Sequence, residues 1–337
     1  MANKVGIPRG LFYYKYHPLW KTFFEELGAE LIVSERTSRK IFDDGIKSCV
    51  DEACLPVKIF YGHVINLKDR VDYIFLPRFT SISRNEYICP KFGGIPDMIR
   101  HNIKGLPQII DTEVNLRKSG RNSLKAALEI GGYFSNNKSE IKGAYKKAID
   151  SYREFRKLVL LGNLPPDTVN STACDINIKG KKQAGRVSTE LNIAVLGHVY
   201  NIYDSYTNMD MLKKLRNMNV NIITIEMIDE STINKFCESL NKKMFWNFGR
   251  KAFGSAGHLM ERNDIDGIIY VMSFGCGIDS FVCDIIERKI RRTSTLPFMV
   301  LTIDEHSGEA GINTRLEAFI DMLRWRDKNE INLSAYG

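Results

Sequence analysis

The sequence predicts an α/β protein made of two Rossmann-like, doubly wound domains with mainly parallel sheets, joined by a helical connector. Short β-branched apolar runs alternate with stretches of helical periodicity, and most of those runs end at a glycine, a proline or a polar loop. A length of 337 residues with 44% hydrophobic content also suffices to bury two cores.

In chain order, Val5-Gly6-Ile7 reads as the first strand and leads into the turn Pro8-Arg9-Gly10. Trp20, Phe23, Phe24 and Leu27 then fall at helical spacing and form one apolar face, with Gly28 as the stop signal. Leu31-Ile32-Val33 and Tyr73-Ile74-Phe75-Leu76 read as further parallel strands, the latter closed by Pro77. From about Asn115, helical spacing returns in Leu124, Ala127 and Leu128 and in Ile141, Tyr145 and Ala148, among many charges. Pro165 through Gln183 is polar and without period, as a linker would be. A second α/β unit begins at Leu191–Gly197 and continues through a helix carrying Met211, Leu212 and Leu215. Its later strands are expected at 221–225, 267–271 and 298–303. Leu316, Phe319, Ile320 and Leu323 mark a last helical face, with Asn313 or Thr314 able to cap its start. Gly249 to Gly257 follows no strand and reads as a flexible loop or helix start. The expected division is an N-terminal α/β domain over 1–114, a helical connector and linker over 115–188, and a C-terminal α/β domain over 189–337.

Composition narrows the function classes. No apolar stretch approaches the roughly 20 residues of a membrane span, and the start of the chain runs directly into a strand rather than a signal peptide. A cytoplasmic location follows as an expectation. The net charge of +8 is spread along the chain with no basic run of five or more, so nucleic acid is not an expected partner. Seven cysteines, an odd number, do not read as a disulfide framework in a reducing compartment, which leaves metal binding as the leading use for some of them.

In open α/β sheets ligands bind beyond the carboxyl ends of the strands, and that rule selects the loops to weigh. Cys276 follows the strand at 268–271 and is flanked by Gly275 and Gly277, which let the backbone approach a bulky ligand; the alternative is a small thiol fitted into a tight turn. Cys54 and Cys89 are each followed within two residues by proline, which stiffens the loop. A soft, thiolate-only set of this kind favours iron–sulfur over magnesium or calcium. Cys49, five residues before Cys54, and Cys283, on an expected helix face, are either additional ligands or buried inert thiols. Cys174 in the linker and Cys237 in a polar helix have no expected role. His198 and His306, with Glu305 beside the latter, occupy strand-end loops and are candidates for acid–base work. A zinc site of cysteine plus histidine is conceivable but lacks the usual short two-ligand element. Neither a nucleotide-triphosphate loop nor a dinucleotide fingerprint is present, so any ATP dependence must come from a partner.

Val5–Leu11, Cys49–Lys58, Tyr87–Phe92, Ser273–Gly277 and Asp304–Gly311, taken together and in order, resemble the acyl-CoA dehydratase activase-related proteins. These are similar to the subunits of 2-hydroxyacyl-CoA dehydratases and to the double-cubane cluster proteins. The resemblance implies a two-lobed α/β fold with an oxygen-sensitive iron–sulfur cluster held by Cys54, Cys89 and Cys276, in an anaerobic host. It implies a 4Fe-4S cluster, or a double-cubane 8Fe-9S cluster if Cys49 and Cys283 join. It also implies an electron-transfer or oxidoreductase role, with an ATP-hydrolysing activase of the sugar-kinase-like ATPase superfamily delivering low-potential electrons, a small-molecule substrate, and a homodimer or heterodimer. The close pair Cys49 and Cys54, and the lack of a segment assignable to CoA recognition, keep the dehydratase substrate from carrying over. Two other readings stay open: a non-catalytic cluster-binding, maturation or scaffold component, and a metal-free Rossmann-like binding protein.

Overall fold

The apolar run at the start of the chain forms β1 (Lys4–Ile7), with Val5 and Ile7 fully buried. The computed structural model describes residues 2–165, 191–238, 240 and 242–334, so Cys174 and nearly all of the expected linker lie outside the described residues. The chain divides into two units, Met1–Asn170 with Leu240–Arg250, and Ser171–Ser239 with Lys251–Gly337.

In the first unit β1 is central, pairing in parallel with β2 (Glu30–Val33) on one side and β3 (Tyr73–Phe75) on the other. A small parallel pair, β4 (Arg78–Ser81) with β6 (Glu113–Asn115), stands beside the main sheet, whose order β2-β1-β3-β5 is completed by β5 (Gln108–Ile110). Helix α1 (Tyr13–Glu26) buries the expected Trp20, Phe23 and Phe24, and Leu27 follows them into the core. Trp20 and Phe24 meet Phe75 of β3 edge-on at 5.3 and 5.1 Å, the geometry that brings ring edge to ring face.

Helices α2 (Arg39–Ser48), α3 (Leu55–Leu67) and α4 (Pro90–Asn102) carry the chain between β2 and β5. Ser38 caps α2 by accepting from the Ile41 N–H. The stretch expected as a connector is helical where described, as α5 (Asn122–Gly131) and α6 (Lys138–Leu160). α6 lies along α1 with Ile141, Ala144, Ala148, Phe155 and Val159 buried.

The second unit repeats the plan. β7 (Leu191–Gly197) pairs in parallel with β8 (Val220–Thr224) and with β9 (Gly267–Ser273), and β10 (Phe298–Ile303) lies beyond β9, giving the order β10-β9-β7-β8. β7 and β9 are buried almost throughout, the pattern of parallel strands covered on both faces. The chain leaves β7 toward β8 on one side and returns to β9 on the other, so the topological switch point falls between β7 and β9.

The helices here are α7 (Val199–Tyr203), α8 (Met211–Asn217), α9 (Glu230–Cys237), α10 (Asn247–Met260), α11 (Gly277–Thr293) and α12 (Glu309–Ser334). Two expectations are corrected. Of the two readings of the glycine-rich 249–257 stretch, the flexible loop is overturned and the helix start holds: α10 begins at Asn247 and runs through it, and a Cβ at Gly254 would stand 2.4 Å from the Ile233 carbonyl oxygen, so glycine serves close helix packing. α12 begins at Glu309 instead of near Asn313, and Thr314 Oγ1 donates to the Ala310 carbonyl inside the helix at 3.0 Å. Among the described residues no helix is long and apolar enough to cross a membrane.

Candidate functional site

Two neighbouring strand ends build the site of the second unit. Gly197 ends β7 with φ of 139°, and a Cβ there would stand 2.3 Å from the Val271 carbonyl oxygen, so only glycine lets β7 run this close to β9 and turn outward. The next residue, His198, is buried at the N-cap of α7. After β9, Gly275 adopts a left-handed φ of 76° and delivers Cys276 to the N-cap of α11. Asp279 follows in the first helical turn, 2% exposed. Residues three apart on a helix share a face, which sets Cys276 and Asp279 side by side.

The ligand atoms of His198, Cys276 and Asp279 all lie within 4.8 Å of one another. His198 Nε2 is 3.1 Å from Asp279 Oδ1, and the Tyr270 hydroxyl donates to the same oxygen at 2.9 Å. Asp279 Oδ2 is buried with no hydrogen-bond partner. The His198 ring stacks on Tyr200 at 5.0 Å, and Ser273 Oγ donates to the buried Asn201 Oδ1 at 2.8 Å. Burial alone would lower the His198 pKa, but the Asp279 carboxylate and the Cys276 thiol outweigh it and push it up to about 10. Burial and the same carboxylate hold the Tyr270 hydroxyl protonated. An imidazole nitrogen, a thiolate and a carboxylate form a donor set that suits borderline-soft divalent ions and can hold a metal ion. Asp279 is absent from the sequence-based candidates, although the spacing Cys276-x-x-Asp279 at the start of a helix is its signal.

The first unit holds two more candidate thiols in a matching setting. Cys54 is the N-cap of α3 and Cys89 the N-cap of α4, with Pro56 and Pro90 in the first helical turns. The expected stiffened loops are thus helix starts, where proline is pre-organised because its missing N–H would have had no helical partner. α3, α4 and α11 lead into β3, β5 and β10, so each cysteine begins a helix that enters its sheet from the side where the parallel strands end, with His63 of α3, rather than Cys54, meeting Ser34 at the end of β2. Lys91 Nζ reaches from the Cys89 turn to the Glu52 carbonyl at 3.4 Å, tying it to the Cys54 turn. The Cys89 turn is further fixed by Tyr87, whose N–H donates to the Phe245 carbonyl and whose carbonyl accepts from the Asn247 N–H, both at 2.8 Å. Beneath it, buried Glu86 pairs with Arg250 and accepts from Asn247 Nδ2 at 2.6 Å.

The remaining candidates are not members of the trio. Burial raises the pKa of Cys49, at the C-cap of α2 beside Tyr61, whose own hydroxyl is pushed up to about 12. Cys283 is buried on α11, its thiol pushed up to about 12 by burial and by Asp279, Glu287 and Asp284. Glu305 and His306 occupy the turn after β10, where the exposed His306 donates its N–H to Asp304 Oδ1 at 2.9 Å. The strand-end loop at Pro8–Leu11 faces a switch point filled by Phe12, Trp20, Phe60, Phe75, Phe79 and Phe92, with an apolar cavity of about 30 Å³, too small for a cofactor.

A family model described as CoA enzyme activase uncharacterised domain (DUF2229) matches residues 4–228. The chain belongs to this family. Its motifs thereby place it among the acyl-CoA dehydratase activase-related proteins. The match takes in Cys54, Cys89 and His198 of this activase-related chain and ends before β9, so Cys276 and Asp279 rest on the geometry alone. No curated protein matches the chain.

Proposed function

We propose that this protein is an iron–sulfur protein of the 2-hydroxyacyl-CoA dehydratase-like group, with Cys54, Cys89 and Cys276 as cluster ligands. In this reading it takes low-potential electrons from an ATP-hydrolysing activase and uses them in reductive chemistry on a small molecule. The observation that carries the reading is the shared setting of the three thiols. Each is half-buried, each is an N-cap, and each begins a helix that leads into a strand of a parallel sheet. Backbone N–H groups at a helix start favour negative charge on a thiolate or sulfide.

Bound there, a 4Fe-4S cluster with three thiolates would supply one-electron chemistry and an iron open to a non-thiolate ligand. The chain's own contribution lies beside Cys276. His198 holds a proton on a buried ring, Asp279 orients that ring, and Tyr270 fixes Asp279. Large apolar side chains lie exposed close to two of the thiols in sequence, Phe274 at 66% two residues before Cys276 in the second unit, and Tyr87 two residues before Cys89 in the first, its ring against the exposed Phe245. Exposed apolar side chains of this kind suit a docking partner, here the activase.

The test is anaerobic reduction followed by electron paramagnetic resonance. A cluster signal that develops only with the ATPase partner and ATP supports the reading; a reconstituted cluster that the activase and ATP never reduce would overturn the electron-acceptor role.

A further inference from the structure

We propose that a ring nitrogen of His198, the Sγ of Cys276 and a carboxylate oxygen of Asp279 bind a single divalent cation of the zinc or ferrous type. The site is complete within the second unit, so it stands whether or not Cys54 and Cys89 hold a cluster.

One ligand atom from each residue, a ring nitrogen, the thiol sulfur and a carboxylate oxygen, already lies within 4.8 Å of the other two, the span of one coordination sphere. Tyr270 donates to Oδ1 of Asp279, which leaves the buried, unpartnered Oδ2 as the oxygen for a cation. An unpaired carboxylate oxygen at a 2% exposed residue is costly unless something positive approaches it. Binding displaces to solvent the proton that the His198 ring otherwise holds, and thiolate, carboxylate and the neutral imidazole so formed together carry two negative charges, which a divalent ion cancels in a buried place. The turns at Gly197 and Gly275 bring His198 and Cys276 into place, and Tyr270 orients the carboxylate, as outer partners of metal ligands do. Three protein ligands leave a fourth tetrahedral position for water or a substrate oxygen, the arrangement of a reactive rather than a purely structural zinc site. A cation in this site and a cluster on Cys276 would exclude each other, so the ion is a competitor for the thiol.

The experiment is titration of cobalt(II), then zinc, into the full chain freed of metal by chelation and kept anaerobic. The expected result is one equivalent of cobalt with thiolate-to-cobalt charge-transfer absorption, displaced by zinc. Asp279→Asn, which keeps the shape and the acceptor for Tyr270, and Cys276→Ser should each weaken binding by about 100-fold or more, beyond the 10–100-fold typical of outer-shell changes. Circular dichroism checks that the variants fold, and Asp279→Asn carries the test if Cys276→Ser does not. Cys54→Ala and Cys89→Ala should leave the titration unchanged. Absence of binding, binding without a charge-transfer band, or equal affinity in Asp279→Asn would overturn the proposal. Loss of cobalt in Cys54→Ala would overturn it too, by showing that the first unit's thiols are needed.

Discussion

Acidification should destabilise the first unit through His63, a fully buried ring on α3. Its Nδ1 lies 2.9 Å from Ser34 Oγ and its Nε2 3.0 Å from Thr37 Oγ1, and Ser34 Oγ also accepts the Arg9 N–H at 2.8 Å. Burial first, and then the Arg9 charge, push the ring's pKa from 6.5 down to about 3. Because the folded value lies below the unfolded one, the unfolded chain binds the extra proton between pH 6.5 and about 3. Stability is therefore complete above pH 6.5 and falls as pH drops through that window. Each unit costs about 1.4 kcal/mol, so acidification from 6.5 to about 5 costs about 2 kcal/mol from this ring alone. Urea unfolding followed by tryptophan fluorescence, on wild type and His63→Gln between about pH 7.5 and 5, isolates the contribution, since His17 is common to both proteins. At neutral pH the variant should be weaker by about 1–3 kcal/mol from the lost pairing of Ser34 and Thr37. That gap should narrow by about 2 kcal/mol at the acid end. A gap independent of pH would refute the reasoning, because His63 would then titrate alike folded and unfolded.

Three further outcomes follow from named contacts. Gly197→Ala forces a Cβ to 2.3 Å from the Val271 oxygen at a φ of 139° and should cost at least about 1–3 kcal/mol, read as a lower melting temperature; an unchanged value would contradict the close approach. Glu86→Gln leaves Arg250 buried without its anion and should cost about 3–5 kcal/mol in urea unfolding, most of it recovered when Arg250→Met is added. A double variant as unstable as the single would count against that account. Alkylation mapped by mass spectrometry should label Cys283 far more slowly than Cys54 or Cys89, since its thiol is buried and pushed up to about 12 and only the thiolate reacts; equal rates would contradict it.

All strands of the two main sheets but β5 were legible because parallel strands buried on both faces are short, continuous and β-branched, as in Leu191–Gly197, whereas β5 is only three residues long and begins at the exposed Gln108. α1 was legible because one of its faces is wet, so Trp20, Phe23 and Phe24 stand out at helical spacing. α3 was not, because Leu55 through Val64 is buried all round and shows no periodicity to read. α10 hid behind glycines that serve packing against Ile233 rather than a turn. β4 and β6 are three or four residues long and partly polar, too short for an alternation to register. At the site, His198 and Cys276 were found separately by the rule that ligands gather past strand ends, but their meeting depends on the strand order β10-β9-β7-β8, which no local pattern encodes. Asp279 escaped because a carboxylate in a first helical turn ordinarily serves the helix dipole and needs no other explanation.

The most direct test of the central claim is iron and acid-labile sulfide content of the chain purified without oxygen, in wild type and in Cys54→Ala, Cys89→Ala and Cys276→Ala. About four irons per chain, lost in all three variants, is the predicted result, and about eight would bring Cys49 and Cys283 into the ligand set. A wild type that holds no iron after reconstitution, or iron retained in Cys276→Ala, would contradict a cluster shared by the three thiols.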